Sequence, residues 1–285
     1  MISAGPGPPG SGPRFTHQSE EMAVIRNPVP VLRERWLGAL AIILALVVWE
    51  GYASLVIKNS FLLPGPVDVL LAFVSLLQKG ILLADFEVSL MHFAIGLFGA
   101  LLVGIPIGIA MGWNRRADEF LNPLIEILRP IPPLAWIPFA IIWFGFTPVS
   151  AGFVIFIGAV FPILINTYTG FRSVPRIFVE AGRMLGCTRN RDLVRYIAFP
   201  AALPSVVSGV RIATGVGWMC LVAAELFGVS NNGLGKDLWF YYNIHQMDAV
   251  VVYMILLGLI GLCIDMIFRY YIDRRFLKWR TGEVA

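Results

Sequence analysis

The sequence predicts an all-α polytopic membrane protein with six transmembrane helices and a basic loop between the fourth and fifth. Three observations carry that expectation. Mean hydropathy is +0.76, and only 14% of residues are charged against 58% hydrophobic. Several apolar stretches run for about 20 residues, the length that crosses a hydrocarbon core. Basic residues, finally, gather in alternate loops. Together these exclude a soluble globular domain.

The elements follow in chain order. Residues 1–34 open with MISAGPGPPGSGPRF, rich in Pro, Gly and Ser and without apolar period, and predict a disordered tail. A membrane domain is expected over 35–280, with a short C-terminal tail at 281–285. Its spans are Trp36–Ile57, Ser89–Met111, Leu121–Phe144, Ser150–Thr169, Ser205–Gly228 and Ala249–Arg269. Between the first two, PGPVDVLLAFVSLLQKG places Val67, Leu70, Leu71, Val74 and Leu77 at helical spacing, as in an amphipathic helix lying at the outer interface.

Charge assigns the sides. The N-terminal tail carries Arg14, Arg26, Arg33 and Arg35, and the second–third loop Arg115 and Arg116. The fourth–fifth loop carries Arg172, Arg176, Arg183, Arg189, Arg191 and Arg195, and the C-terminus Arg269, Arg274, Arg275, Lys278 and Arg280. The other side has Lys58, Lys79 and Lys236. Positive residues are retained inside, so both termini are expected in the cytoplasm. Trp36, Trp113, Trp239, Tyr241, Tyr242, Tyr270 and Trp279 fall near span ends, as interfacial aromatics do. The net charge of +4 is thus explained by topology, and nucleic-acid binding lacks a supporting motif.

Catalytic and metal chemistry find little support. Cys187, Cys220 and Cys263 are far apart and read as free thiols, and His17, His92 and His245 are too scattered for a metal site. The nearest approach to a phosphate-binding loop, SNNGLGKD, has Ser230 where the first Gly belongs and Asp237 where Ser or Thr should follow Lys236. The chain is therefore not expected to be an enzyme, and holds no cofactor of its own.

The fourth–fifth loop, at about 172–204, is unusual for a connector. Ile177, Ala181, Met184 and Leu185 share one helical face, and Gly186 supplies a stop. Thr188 is placed to cap a second short helix, although Arg191 stands where a capping box has Glu or Gln. Leu193, Tyr196 and Ile197 give that helix its apolar face, and Pro200 and Pro204 are expected to end it before the membrane. Two amphipathic helices around a glycine suit a docking element for a cytoplasmic partner.

These residues carry a resemblance. Glu180-Ala181-Gly182, then Leu185-Gly186, then Ile197-x-x-Pro200-x-x-x-Pro204 resembles the EAA loop of binding-protein-dependent ABC importer permeases, with Gly182 in place of the usual second alanine. It extends to RPIPPLAWIPFAIIWFG (129–145), SGVRIATGVGWMCLVAAELFG (208–228) and GLIGLCIDMIFRYYIDRRFLKW (258–279), which look like the nitrate, sulfonate, taurine and bicarbonate branch. The resemblance implies a type I importer permease that pairs, usually with a second copy of itself, and binds two cytoplasmic ATP-binding subunits on which ATP and Mg act. An extracytoplasmic binding protein would deliver a small anion, an aliphatic sulfonate, taurine, nitrate or bicarbonate. Glu180, Ala181, Gly182, Leu185 and Gly186 are the expected coupling residues. An ATP-independent secondary transporter or channel would share the intramembrane charges but leaves the loop unexplained.

Charged residues in the spans each need a partner or a purpose. Glu126 and Arg129 are three apart and Asp265 and Arg269 four apart, so both pairs can neutralise locally. Arg211 lies beyond Pro204, where it can snorkel, or with Arg129 form a basic ring suited to anion exit. Glu225 has no adjacent basic residue; it could gate, pair across a dimer, contact an ammonium group, or hydrogen-bond between helices. Pro130, Pro132, Pro133 and Pro138 break the third span, and such backbone survives in a membrane where protein or a water-filled cavity satisfies it. The translocation path is therefore expected to involve Arg129, Pro132, Pro133, Trp136, Arg211 and Glu225. Gly96, Gly99, Gly104 and Gly108 in the second span read as close-packing positions.

Overall fold

The computed structural model describes residues 40–41, 43–57, 59 and 61–276, the side chains of 269 and 271–276 excepted. The expected tails, the start of the first span and the Asp265–Arg269 pairing therefore lie outside it. The chain divides at Val48. Ahead of that point the described residues are helical, with Leu40, Ile43 and Leu44 exposed. The remainder is built from helices alone among the described residues.

We number the helices α1 (Ile43–Ile57), α2 (Pro66–Gln78), α3 (Ile81–Trp113), α4 (Arg115–Leu128), α5 (Ile137–Phe144), α6 (Pro148–Arg172), α7 (Arg176–Met184), α8 (Asn190–Leu226), α9 (Leu234–Asn243) and α10 (Met247–Phe276). Four are long and apolar enough to cross a membrane: α3, α6, α8 and the first 22 residues of α10. A fifth crossing arises if α4 and the segment Pro133–Phe144, bent by 87° to each other, count as one. The described part of α1 falls short of a full span, so six crossings are not reached among the described residues.

The core is organised by α6, which packs along α3 on one side and α8 on the other. Both contacts depend on missing side chains. A Cβ at Gly96 would stand 2.5 Å from Ile155 Cβ, and one at Gly108 2.6 Å from Thr167 Cβ. On the other side a Cβ at Gly209 would meet Asn166 Cβ at 2.6 Å. Without a hydrophobic drive between helices in lipid, backbone approach of this kind supplies the packing energy. The close-packing reading of span two is borne out at Gly96, Gly104 and Gly108; at Gly99 a Cβ would meet only Phe156, at 3.4 Å.

α2 forms as expected. Its N-cap backbone at Gly65 donates to the Asp68 carboxylate at 3.3 Å, and Pro66 occupies the first turn. Val69 and Leu76 pack inward, while Val67, Leu70, Leu71, Val74 and Leu77 face away from the protein.

The fourth–fifth connection needs one correction. Pro200 and Pro204 do not end its second helix, which runs unbroken as α8 from Asn190 to Leu226. Pro200 lacks the N–H that would reach the Tyr196 carbonyl, and its ring would crowd that oxygen. The preceding turn, Val194–Ala198, widens into a π-turn and relieves the conflict, so the helix bends its hydrogen-bond pattern instead of stopping. Nor is Thr188 the cap: Arg189 holds the N-cap position in extended conformation, and no side chain caps the turn.

Candidate functional site

At the basic end of the bundle, α7 terminates as the sequence requires. Gly186 adopts φ +98°, its N–H donates to Arg183 O at 3.2 Å, and the Cys187 N–H donates to Gly182 O at 3.0 Å. This is a Schellman closure, and the left-handed residue within it favours glycine. Gly182 is buried, and a Cβ there would collide with Ile197 Cδ1 and lie 3.3 Å from Leu193 Cδ2. The departure from alanine thus lets α7 lie close on the first turns of α8. Glu180, Ala181, Leu185 and Gly186 face outward. Met184 is 90% and Leu185 87% exposed, beside exposed Ile177 and Phe178. The result is an apolar surface rimmed by Arg176, Arg183, Arg189 and Arg191, carried by a helix seated on a membrane-crossing one.

The same end holds a second polar contact. Asp118 on α4 accepts from Arg172 and from the Tyr168 hydroxyl (3.2 Å) on α6, fixing the turn between α3 and α4. Arg115 pairs with Glu119 one turn along α4.

The proline-rich break lies between α4 and α5. Arg129 is the C-cap of α4, Pro132 precedes the short 3-10 turn Pro133–Trp136, and α5 follows. Pro133 approaches α6: a Cβ at Gly158 would be 3.6 Å from its Cγ. Trp136 opens an aromatic cluster with Phe139, Trp143 and Phe153, its ring centroid 6.0 Å from Phe139 and 6.3 Å from Phe153. The Trp136 indole N–H is shielded and has no acceptor among the described residues. Glu126 does not pair with Arg129; it accepts from Asn122 one turn back at 2.8 Å, while Arg129 stands where the helix breaks.

Glu225 and Arg211 occupy different surroundings on α8, 14 residues and so about 21 Å apart. Arg211 is half exposed and pairs with Asp265 of α10 at 3.1 Å. Glu225 is fully buried. It accepts from the Ser89 hydroxyl at 2.8 Å, the His92 ring at 2.9 Å and the Gly235 N–H at 2.9 Å, and Ser89 in turn accepts the Leu234 N–H at 2.9 Å. The carboxylate and Ser89 thereby take one free donor each of the first turn of α9, where negative charge is favoured. This is the helix–helix hydrogen bonding weighed for Glu225, extended to backbone donors of a third element.

A neighbouring knot was not foreseen. The Tyr253 hydroxyl of α10 donates to Asp85 of α3 at 2.7 Å and lies 3.4 Å from Asp237 of α9. The signal was present in the sequence: Asp85, Ser89, His92 and Gly96 recur every three or four residues, a polar extension of the small-residue stripe. At this end an open cavity of about 540 Å³ lies among Phe61, Asp68, Lys79, His245 and Asp248.

Residues 104–278, more than half of the chain, match the family described as binding-protein-dependent transport system inner membrane component. The chain belongs to that family. It is 43% identical over 241 residues to a putative ABC transporter permease protein of Methanocaldococcus jannaschii, covering 83% of this permease and 89% of that one. It is 34% identical over 253 residues to the putative aliphatic sulfonates transport permease protein SsuC of Bacillus subtilis (88% and 90% covered). Over another 253 residues it is 33% identical to the taurine transport system permease protein TauC of Escherichia coli (87% and 90% covered). In fold the permease resembles a chain of the MetNI methionine ABC transporter in inward-facing conformations, with TM-score 0.54 and 22% identity, covering 68% of this chain and 97% of that one. The permease is therefore a multi-pass membrane component of an ABC importer.

Proposed function

We propose that the permease moves a small sulfonate or oxyanion inward, driven by ATP hydrolysis on two cytoplasmic subunits, and that it works as a pair with a second copy. Both termini then lie in the cytoplasm, and an extracytoplasmic binding protein delivers solute to the end that holds the 540 Å³ cavity. ATP and Mg act on the partner subunits.

The observation that carries this reading is the construction of α7. Its outward surface joins Ile177, Phe178, Met184 and Leu185 to a basic rim, and its inward face sits on α8 through Gly182 and Ile197. A partner that grips α7 therefore acts, through that seat, on α8, itself a membrane crossing. Glu180, Ala181 and Gly186 complete the gripped surface. Closure of the ATP-binding subunits would tilt α8 and with it the helices that pack on α6, exchanging inward-open for outward-open arrangements. The bent α4–α5 segment, with Arg129, Pro132, Pro133 and a Trp136 indole that has no acceptor among the described residues, is the natural border of the path, because irregular backbone needs protein or water at that depth.

Purification of the C-terminally tagged permease from native membranes tests the reading. A stoichiometric ATP-binding subunit and ATP hydrolysis are expected in the same fraction. A lone, ATP-indifferent chain that still moves solute would reject it.

A further inference from the structure

Between α8 and α10 lies a pocket of about 250 Å³ whose lining is apolar except near one ion pair. Asp265 accepts from Arg211 Nε at 3.1 Å and from one terminal guanidinium nitrogen at 3.4 Å. Trp218, also in the lining, is held by its N–H donating to Leu257 O at 3.1 Å. A Cβ at Gly215 or Gly258 would meet nothing within 4 Å, so the absent side chains leave open room there.

The position of this pair along its helices restricts what it can face. Arg211 lies 15 residues before the end of α8, roughly 22 Å of helix, and Asp265 lies 18 residues into α10, roughly 27 Å. Measured against a hydrocarbon core about 30 Å thick, both stand toward the basic end of their helices, Asp265 one turn before Arg269. Their side chains are nevertheless 46% and 53% exposed in the single chain. Charge so placed is kept against protein or water, not lipid, so the pair is open to the water at the basic end or to a hydrated space between helices.

The pair also retains binding capacity. Asp265 engages two of the five N–H donors of Arg211, along one edge, and each carboxylate oxygen keeps a lone pair. A solute with an oxyanion at one end and a protonated amine at the other can address both residues without separating them. A bare anion would gain the guanidinium but meet the charge of Asp265; a bare cation meets the reverse. At about 30 Å³ per water, the pocket has room for roughly eight waters, enough for such a solute.

We propose that this pocket binds a small zwitterion, with Arg211 reading its oxyanion and Asp265 its ammonium group. The proposal rests on the importer reading and narrows its solute: an aminosulfonate supplies both groups, whereas nitrate and bicarbonate supply one. The same chemistry occurs in the headgroup of phosphatidylethanolamine, so the source needs its own arm of the test.

The test is equilibrium binding of radiolabelled taurine to the purified full-length permease complex in detergent, with ethanesulfonate, which lacks the amine, as competitor. Wild type should prefer taurine by about tenfold or more. Asp265→Asn should abolish that preference, Arg211→Gln should lose both ligands, and Arg211→Lys should recover part of the binding and show that the site still folds. Absence of saturable taurine binding to wild type, or an unchanged preference in Asp265→Asn, overturns the proposal. Repetition in nanodiscs assigns the source: competition by phosphatidylethanolamine, but not by phosphatidylglycerol, gives the site to the headgroup, and no competition gives it to the solute. A copurifying ATP-binding subunit with no taurine binding rejects this site alone, whereas absence of that subunit rejects the importer reading beneath it.

Discussion

Replacing Glu225 by alanine should destabilise the permease far more than removal of an ordinary polar side chain. Three donors converge on this carboxylate: the Ser89 hydroxyl, the His92 ring and the Gly235 N–H. All are shielded, and a buried donor left without an acceptor costs about 1–3 kcal/mol. Taking the lower half of that range for each, because the vacated volume can admit a water, gives a loss of about 3–6 kcal/mol. At about 2–4 °C per kcal/mol for chains of about 150–250 residues, the melting temperature in a single detergent should fall by at least about 6 °C. Glu225→Gln keeps the volume and one acceptor oxygen but turns an amide NH₂ toward the remaining donors, and should lose about 1–3 kcal/mol. His92→Ala should cost less in the Glu225→Ala background than alone, since the two act as one unit. A Glu225→Ala protein that melts within 2 °C of wild type, read by thermal shift and by size-exclusion of heated samples, refutes the reasoning.

Other predictions follow from the same geometry. A Cβ at Gly186 would meet no atom within 4 Å, so Gly186→Leu is penalised chiefly through the left-handed backbone, by about 1–2 kcal/mol; the end of α7 should change shape and the ATP-binding subunit should be lost on purification while the membrane domain still folds. Gly108→Leu should abolish folded expression, because its Cβ alone would press on Thr167 at 2.6 Å and Leu164 O at 2.8 Å, whereas Gly99→Ala, with Phe156 at 3.4 Å, should express near normally; fluorescence-detected size exclusion separates the two. Single cysteines at Ile131, Leu134 and Ala135, introduced after replacing Cys187, Cys220 and Cys263, should react with membrane-impermeant maleimide in one transport state at least, and silence in every state would count against a path along the α4–α5 break.

The sequence by itself determined the class of the protein and much of its plan. Hydropathy and span length announce membrane helices because lipid leaves the backbone no other partner than itself. The loop could be read for a similar reason: helix periodicity and a glycine stop are local, so the exposed face of α7 and the Schellman turn at Gly186 are written in consecutive residues. The glycines of α3 were equally plain, since small residues on one stripe have few uses besides close approach. What the sequence could not decide was pairing between distant segments. Arg211 meets Asp265 across 54 positions, and Glu225 meets Ser89 across 136. Local spacing offered no such partner for Glu225 and only the side chains within a turn or two for the rest, and an energy that depends on mutual burial is not expressed in spacing. The course of α8 through Pro200 was likewise a tertiary outcome. A proline stops a helix when its lost hydrogen bond leaves the chain free to turn away; here α7 and α6 hold α8 from either side, and a π-turn is the smaller disturbance.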